Sequence, residues 1–221
     1  MSFVNIKHWA TLDPSIFPKQ YAALGISEPP GLWFRAVGKA AQGGTLVTEL
    51  WADQLSWRQQ RDQEVNRQDM KAAKASHGVS KPSLSFREES TAVFFPTDLG
   101  HHLRSQWIEL VQPGQVLLMQ YPNITVQKYR SGMQKLGLRE GDPAAQGLLC
   151  AADGPDKGFD WYLLRVWQNN DIHSEVLDNY LKEISKPTKA TLHQEGSLEY
   201  LYFSRDCPTG SHNAVVPDMF I

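Results

Sequence analysis

The chain has 221 residues, of which 41% are hydrophobic and 21% charged, and its net charge is −2. This composition is typical of a globular protein, and the lack of a basic stripe argues against nucleic-acid binding. No apolar run approaches the length of about 18 residues that a membrane span needs, and the first residues do not resemble a signal peptide. Two cysteines without metal-site spacing fit a reducing compartment, so we expect a cytoplasmic protein without a metal.

The first half of the chain predicts the order β-α-β-β-α-β. Asp13-Pro14 is typical of an N-cap and a first helical residue, and Gly25 is typical of a helix end. The sequence Gln42-Gly43-Gly44 predicts the turn of a hairpin. The predicted elements are strand Phe3–Trp9, a helix with Ile16, Phe17, Tyr21 and Leu24 on one face, strands Leu32–Val37 and Thr45–Trp51, helix Asp53–Ala75 and strand Ser90–Phe95.

The second half predicts the same order. Thr125 and Asp171 are expected helix N-caps, Gly137 ends the first of these helices, and Gly154–Gly158 forms the hairpin turn. The predicted strands are Val116–Tyr121, Leu148–Ala152, Trp161–Trp167 and Leu198–Phe203, with helices at Thr125–Gly137 and Asp171–Ile184.

The two halves also share residues at near-constant spacing. Gly31 recurs as Gly147 and Trp51 as Trp167, both at an offset of 116 (147 − 31; 167 − 51), while Trp9 meets Tyr121 at an offset of 112. Two further blocks repeat in the same order, namely Ser80-Lys81-Pro82 with Ser185-Lys186-Pro187, and Phe94-Phe95 with Tyr202-Phe203. We interpret this pattern as an internal duplication. The alternative is a single mixed domain in which these matches are coincidental.

The predicted fold is α+β, with two tandem ferredoxin-like βαββαβ units packed sheet to sheet. The expected divisions are a first unit at 1–98, a connector at 99–115, a second unit at 116–206 and a C-terminal tail at 207–221. Each such sheet has helices on one face only, so its other face needs a partner sheet, which the duplication supplies. We therefore expect a monomer with an internal pseudo-dimer, or a weak homodimer.

The stretch Gly31-Leu-Trp-Phe-Arg-Ala-Val-Gly38, then Gly43-Gly44, then Val47-Thr-Glu-Leu-Trp51 resembles the antibiotic-biosynthesis-monooxygenase type of dimeric α+β barrel. The second half, ending in Leu164-Arg-Val-Trp167, is a weaker match. The resemblance implies a small-molecule enzyme, such as a cofactor-independent monooxygenase, cyclase or isomerase, acting on an aromatic or polyketide-like substrate. It equally covers non-catalytic ligand-binding or stress-associated barrel proteins, because fold does not decide activity.

A resemblance to the haem-degrading branch of that superfamily would require an arrangement of Asn, Trp and His residues, with the Trp and His close together on the second helix. The nearest residues here are Asn5, Trp57 and His77, and the last two are twenty positions apart (77 − 57 = 20). We therefore expect no haem and no other cofactor.

Charged residues on the predicted inward strand faces are the first candidates for chemistry. Strand alternation puts Leu46 and Leu50 on the face expected to pack on helices, and Glu49 on the opposite face. Arg165 is the counterpart of Glu49 at the offset of 116 (165 − 49). One interpretation is a structural ion pair or charge network; the other is that Glu49 acts as a base while Arg165 holds an anionic oxygen.

Arg35 and His8 complete the predicted catalytic set. Arg35 shares a predicted face with Trp33 and could orient a carboxylate or phenolate, unless it is a rim arginine at the surface. His8 could transfer protons, unless it is a hydrogen-bonded structural histidine. The predicted ligand is small and apolar or aromatic, because many aromatic residues fall on strands or strand ends. The residues expected to bind it are Trp9, Trp33, Trp51, Tyr121, Trp161 and Trp167.

Overall fold

A computed structural model describes residues 1–23, 29–66, 82, 84–96, 104–121, 148–155, 161–168 and 191–213. Within these ranges, strands and helices are both present, and the predicted α+β class is confirmed. In chain order the elements are β1 (Ser2–Trp9), α1 (Ile16–Ala23), β2 (Leu32–Ala40), β3 (Thr45–Trp51), α2 (Gln54–Asn66), β4 (Leu84–Ser90), β5 (Ala92–Phe95), β6 (Trp107–Tyr121), β7 (Leu148–Gly154), β8 (Trp161–Trp167), β9 (Thr191–Phe203) and β10 (Gly210–Asn213).

The chain forms two compact units that do not follow the sequence in two simple blocks. Unit 1 comprises Met1–Glu89, Gly100–Val111 and Gly196–Pro208. Unit 2 comprises Ser90–Leu99, Gln112–Glu195 and Thr209–Ile221. Each unit therefore contains a segment from the opposite half of the chain. The predicted units at 1–98 and 116–206 do not include these exchanged segments.

Unit 1 has the strand order β9-β2-β3-β1-β4. Its pairings β1–β3, β2–β3 and β2–β9 are antiparallel, so the last part of β9 extends the hairpin that β2 and β3 form. Unit 2 has the order β10-β5-β7-β8-β6, and here β5 extends the hairpin of β7 and β8 in the same way. In each unit the first strand of the hairpin, β2 or β7, is thus also paired with a strand that lies far away in the sequence.

Local sequence signals explain how the elements of unit 1 begin and turn. The Asp13 carboxylate accepts a hydrogen bond from the Ser15 amide at 2.8 Å, which caps the start of α1 and lowers the pKa of Asp13. The Asp53 carboxylate does the same for α2 by accepting the Ser56 amide at 2.7 Å. At the hairpin turn, Gly44 has a φ of +78°, and a Cβ there would collide with the backbone at the end of β1.

The hairpins of the two units share their register residue by residue. In unit 1, Glu49 of β3 pairs with Asn5 of β1 and Arg35 of β2. In unit 2, Arg165 pairs with Leu117 and Ala151, which lie at the predicted offsets of 112 and 116 (117 − 5; 151 − 35). A register irregularity also falls at equivalent points, between Leu32 and Phe34 in β2 and between Leu148 and Cys150 in β7.

Strand β3 is central in unit 1 and is buried along its whole length. One of its faces is continuous with apolar side chains of the neighbouring strands, where the rings of Phe34 in β2 and Phe203 in β9 lie 5.0 Å apart. The other face carries Glu49 and the polar groups described below. Because both faces of β3 are covered, charged side chains on it are removed from water and need partners.

Several predicted boundaries differ from the structure. Strand β6 begins at Trp107, well before the predicted start at Val116, so most of the predicted connector 99–115 is strand. Strand β7 continues through Asp153 to Gly154, beyond its predicted end at Ala152. The predicted helices at Thr125–Gly137 and Asp171–Ile184, and the chain beyond residue 213, lie outside the described residues.

Candidate functional site

The Glu49 carboxylate is a buried charged group of unit 1 that several protein donors hold. It is 5% exposed and accepts four N–H hydrogen bonds. Nε and Nη2 of Arg35 lie 2.8 and 2.7 Å from its Oε1. Nδ2 of Asn5 donates to its Oε2 at 2.6 Å, and Nε1 of Trp51 does so at 3.3 Å. We call Asn5, Arg35, Glu49 and Trp51 the Glu49 cluster.

The sheet register produces this cluster. Asn5, Glu49 and Arg35 are directly paired across three neighbouring strands, and paired residues of antiparallel strands present their side chains on the same face. Trp51 lies two residues after Glu49 on β3 and so returns to that face. The predicted alternative of a surface-rim position for Arg35 is wrong, because Arg35 is only 3% exposed.

The electrostatics of the cluster fix Glu49 as a carboxylate. Burial raises its pKa, but the positive charges of Arg35 and Lys7 and the hydrogen bonds from Asn5 and Arg35 outweigh burial and lower the pKa to about 2. A group with this pKa is ionised at neutral pH and accepts a proton poorly. Glu49 is therefore suited to holding its donors in place, and the predicted role as a base gains no support from this geometry.

One polar atom of the cluster has no hydrogen-bond partner in the part of the chain that the structure describes. Asn5 is fully buried, and while its Nδ2 bonds to Glu49, its Oδ1 accepts nothing there. A second such atom, Oγ1 of Thr48, belongs to the opposite face of the sheet, because Thr48 precedes Glu49 on β3. A buried acceptor without a donor is costly, and a ligand hydroxyl or a water relieves that cost.

Both helices in the described part of unit 1 contact the face that carries the Glu49 cluster. Trp57 of α2 packs against Phe3, with ring centroids 4.9 Å apart, and belongs to one buried cluster with Phe3, Leu32 and Trp51. Phe17 of α1 lies 5.8 Å from Trp9. Phe3 and Trp9 share the face of Asn5 by strand alternation. The prediction that the Leu46 and Leu50 face packs on the helices, with Glu49 on the other side, is therefore wrong.

His8 lies on the face of β1 opposite to Asn5, so the structure does not bring it to the Glu49 cluster. It is 6% exposed, and its Nε2 lies 2.6 Å from the Gly43 carbonyl oxygen, to which it donates. This contact ties β1 to the hairpin turn. A proton-transfer role for His8 stays a prediction, but it would not act on the same ligand atoms as Asn5.

Arg165 belongs to unit 2 and has its own partner. Its Nη1 and Nη2 bond to the two carboxylate oxygens of Asp153, and Nη1 also donates to the Leu164 carbonyl at 2.8 Å. Both side chains are buried. Glu49 and Arg165 occupy corresponding positions, as predicted, but they do not form an ion pair with each other. Each is neutralised by a neighbour within its own unit.

Sequence reasoning missed Asp153 because it ended the strand at Ala152, one residue before it. The available signal was its spacing: Asp153 lies two residues after Ala151, the strand partner of Arg165, and so shares a face with that arginine. Lys7 was also missed, although it lies within the predicted strand Phe3–Trp9 and shares a face with Asn5, two residues before it.

The predicted aromatic residues do not form one group. Trp51 is part of the Glu49 cluster, whereas Trp9 lies at the far end of β1, and Trp33 lies at the register irregularity between Leu32 and Phe34 in β2. Trp167 is buried in unit 2, and Tyr121 and Trp161 pair with each other at the other end of the same strands. The side chains of Tyr121 and Trp161 lie outside the described part.

Within the described residues, no group of three or more His, Cys, Asp or Glu side chains is placed to hold a metal ion. None of the described helices has the length and apolar character required to cross a membrane. His77, the nearest candidate for the histidine of the haem-degrading branch, lies outside the described residues. The expected absence of haem therefore stays a prediction.

No family model matches the sequence, and no curated protein does. Solved structures do match. A candidate monooxygenase from Lactobacillus acidophilus has a TM-score of 0.56 at 11% identity, covering 96% of this chain and 98% of that one. A candidate monooxygenase from Fusobacterium nucleatum also has a TM-score of 0.56, at 12% identity and 96% coverage of both chains. A candidate chlorite dismutase has a TM-score of 0.54 at 10% identity, covering 89% of this chain and 94% of that one. The chain therefore shares its fold with these solved structures.

Proposed function

We propose that the chain is a small-molecule enzyme of the monooxygenase type, with its functional site at the Glu49 cluster of unit 1. The observation that carries the proposal is Asn5, whose buried Oδ1 has no donor among the described residues while its Nδ2 is held by Glu49. A rigid acceptor of this kind suits the hydroxyl of a phenolic substrate. The fold shared with two candidate monooxygenases supports the reaction class.

The proposed reaction needs no bound cofactor, because the substrate supplies the electrons. A benzylic CH₂ group of the substrate becomes a carbonyl, one atom of O₂ enters the product, and the other leaves as water. In this scheme Asn5 orients the substrate hydroxyl, and the Glu49 carboxylate fixes the amide of Asn5 and the guanidinium of Arg35. Glu49 itself moves no proton, since its pKa is about 2.

We also propose that the two halves of the chain derive from one ferredoxin-like unit and that only the first retains the site. The shared strand register and the equivalent register irregularities support the duplication. At the register positions of Asn5, Glu49 and Arg35, unit 2 has instead Leu117, Arg165 and Ala151. Unit 2 thus keeps a buried ion pair but has no amide at the position of Asn5, which predicts one ligand per chain.

The test is oxygen uptake with hydroxylated anthrones, which have the benzylic CH₂ group that the proposed reaction oxidises, without added metal or cofactor. We expect turnover by the wild type, and a loss of roughly tenfold or more in kcat/KM for Asn5→Leu, because leucine occupies the equivalent position of unit 2 but accepts no hydrogen bond. Thr48→Val is the matched control, since it removes another buried acceptor that has no partner in the described part of the chain. Full activity of Asn5→Leu would contradict the proposed site.

A second candidate function is ligand binding without catalysis. It is favoured by the ion pairs themselves, because Glu49 and Arg165 are each already satisfied by a protein partner. Calorimetric binding of the same phenols at one site per chain, with no oxygen uptake, would support this function over the enzyme. Absence of both binding and turnover would contradict both candidates.

A further inference from the structure

Tyr202 of β9 continues the row of paired residues that forms the Glu49 cluster. Asn5 pairs with Glu49, Glu49 with Arg35, and Arg35 with Tyr202. These four residues therefore lie side by side across four neighbouring strands, with their side chains on the same face. At a strand spacing of about 4.8 Å, the row measures about 14 Å from Asn5 to Tyr202.

The row changes character from one end to the other. Asn5, Glu49 and Arg35 are at most 5% exposed, whereas Tyr202 is half-buried and packs against the cluster of Phe3, Leu32, Trp51 and Trp57. The ring of Trp107, which is also half-buried, lies 5.6 Å from that of Tyr202 at an angle of 47°. The row therefore begins at a buried hydrogen-bond acceptor and ends at two accessible aromatic rings.

We infer that Tyr202, supported by Trp107, is a specificity-determining residue that selects fused-ring aromatic ligands. The inference rests on the proposed function, because it requires the ligand hydroxyl to bind at Asn5. A single ring with its hydroxyl is much shorter than the row, so it leaves Tyr202 without a contact. Three fused rings approach the length of the row and meet the tyrosine ring by offset stacking.

Tyr202 and Trp107 both come from the chain beyond residue 98. Within unit 1, they lie in the segments Gly196–Pro208 and Gly100–Val111. The predicted first unit at 1–98 thus contains the Glu49 cluster but not these two rings. The second half of the chain supplies the selectivity of a site whose polar residues come from the first half.

The experiment compares two probes, 1,8-dihydroxyanthrone with three fused rings and hydroquinone with one. For Tyr202→Leu we expect about tenfold weaker binding of the anthrone and unchanged binding of hydroquinone, while Tyr202→Phe keeps both within about twofold because it retains the ring. Tyr200→Leu is the matched control. It lies on the same strand and face but pairs with Val37, so both affinities should stay at the wild-type level.

Each outcome bears on a specific claim. If wild-type protein binds neither probe, the proposed function fails and the inference fails with it. If wild-type protein binds both, but Tyr202→Leu weakens both equally or neither, only the inference is overturned. Should Tyr202→Leu not fold, Trp107→Leu provides the same comparison from a different strand, with weaker anthrone binding expected and unchanged anthrone binding contradicting the inference.

Discussion

Replacing Glu49 by glutamine should destabilise the protein strongly and in a pH-dependent way. The fall in the pKa of Glu49 from 4.5 to about 2 corresponds to about 3 kcal/mol of preference for the ionised form in the folded state. Glu49→Gln loses this stabilisation and also leaves the buried Arg35 guanidinium without a counter-charge. We therefore expect a loss of about 3 to 5 kcal/mol in the free energy of unfolding at pH 7, measured by urea denaturation.

The pH dependence follows from the sign of the pKa change. Because the pKa is lower in the folded than in the unfolded state, the contribution of Glu49 is fully present above about pH 4.5 and is lost as the pH falls toward 2. The stability difference between wild type and Glu49→Gln should shrink over that interval. The double variant Arg35→Met/Glu49→Leu should recover part of the loss, because no buried charge is left unpaired.

Asp62→Asn is the control for this experiment. Asp62 pairs with Arg61 at 2.8 Å, but the two side chains are 61% and 43% exposed, so the expected loss is below about 1 kcal/mol. The reasoning is refuted if Glu49→Gln costs no more than Asp62→Asn. It is also refuted if the difference between wild type and Glu49→Gln stays constant from pH 5 to pH 2.

Three further predictions concern other parts of the chain. Asp153→Asn should lower the free energy of unfolding by about 3 kcal/mol, measured in urea, since it removes the carboxylate that neutralises the buried Arg165 guanidinium in unit 2; a loss under about 1 kcal/mol would contradict this. Burial raises the pKa of Cys207 to about 12, and Cys150 is also buried, so neither thiol should react with Ellman's reagent at pH 8 until denaturant is added; native labelling would show the burial to be wrong. Gly44→Ala should lower Tm more than Gly43→Ala, because both have positive φ but only at Gly44 would a Cβ meet backbone; equal Tm values would count against it.

Local signals in the sequence were sufficient for the secondary structure of the hairpins and helix starts. The predicted strands Thr45–Trp51 and Trp161–Trp167 match β3 and β8, because each is bounded by turn glycines or by a helix cap. The cap at Asp13 could be predicted because a cap bonds only to residues a few positions away, whereas Asp53 was predicted only as the start of its helix. The start of β6 was missed because Pro113-Gly114 is typical of a turn, yet both residues lie inside that strand.

The composition of the site was only partly readable from the sequence. Strand alternation correctly grouped Glu49 with Trp51, but it does not tell which face of a sheet meets the helices when both faces are buried. The partners of the buried charges depended on register: Arg35 for Glu49, and Asp153 for Arg165. Tyr202 could not be predicted as a site residue from the sequence, because its position beside Arg35 depends on strand order, which no local pattern encodes.

The pairing of β2 with β9 has a consequence for how this protein emerges from the ribosome. Phe34 pairs with Phe203, which follows it by 169 residues (203 − 34). At a synthesis rate of roughly 5 to 20 residues per second, the N-terminal hairpin waits roughly 10 to 30 seconds for its neighbouring strand. During that delay the outer edge of β2 offers unsatisfied amide and carbonyl groups to any nascent chain nearby. Slow decoding ahead of β9 should therefore increase aggregation during expression, whereas slow decoding after it should not.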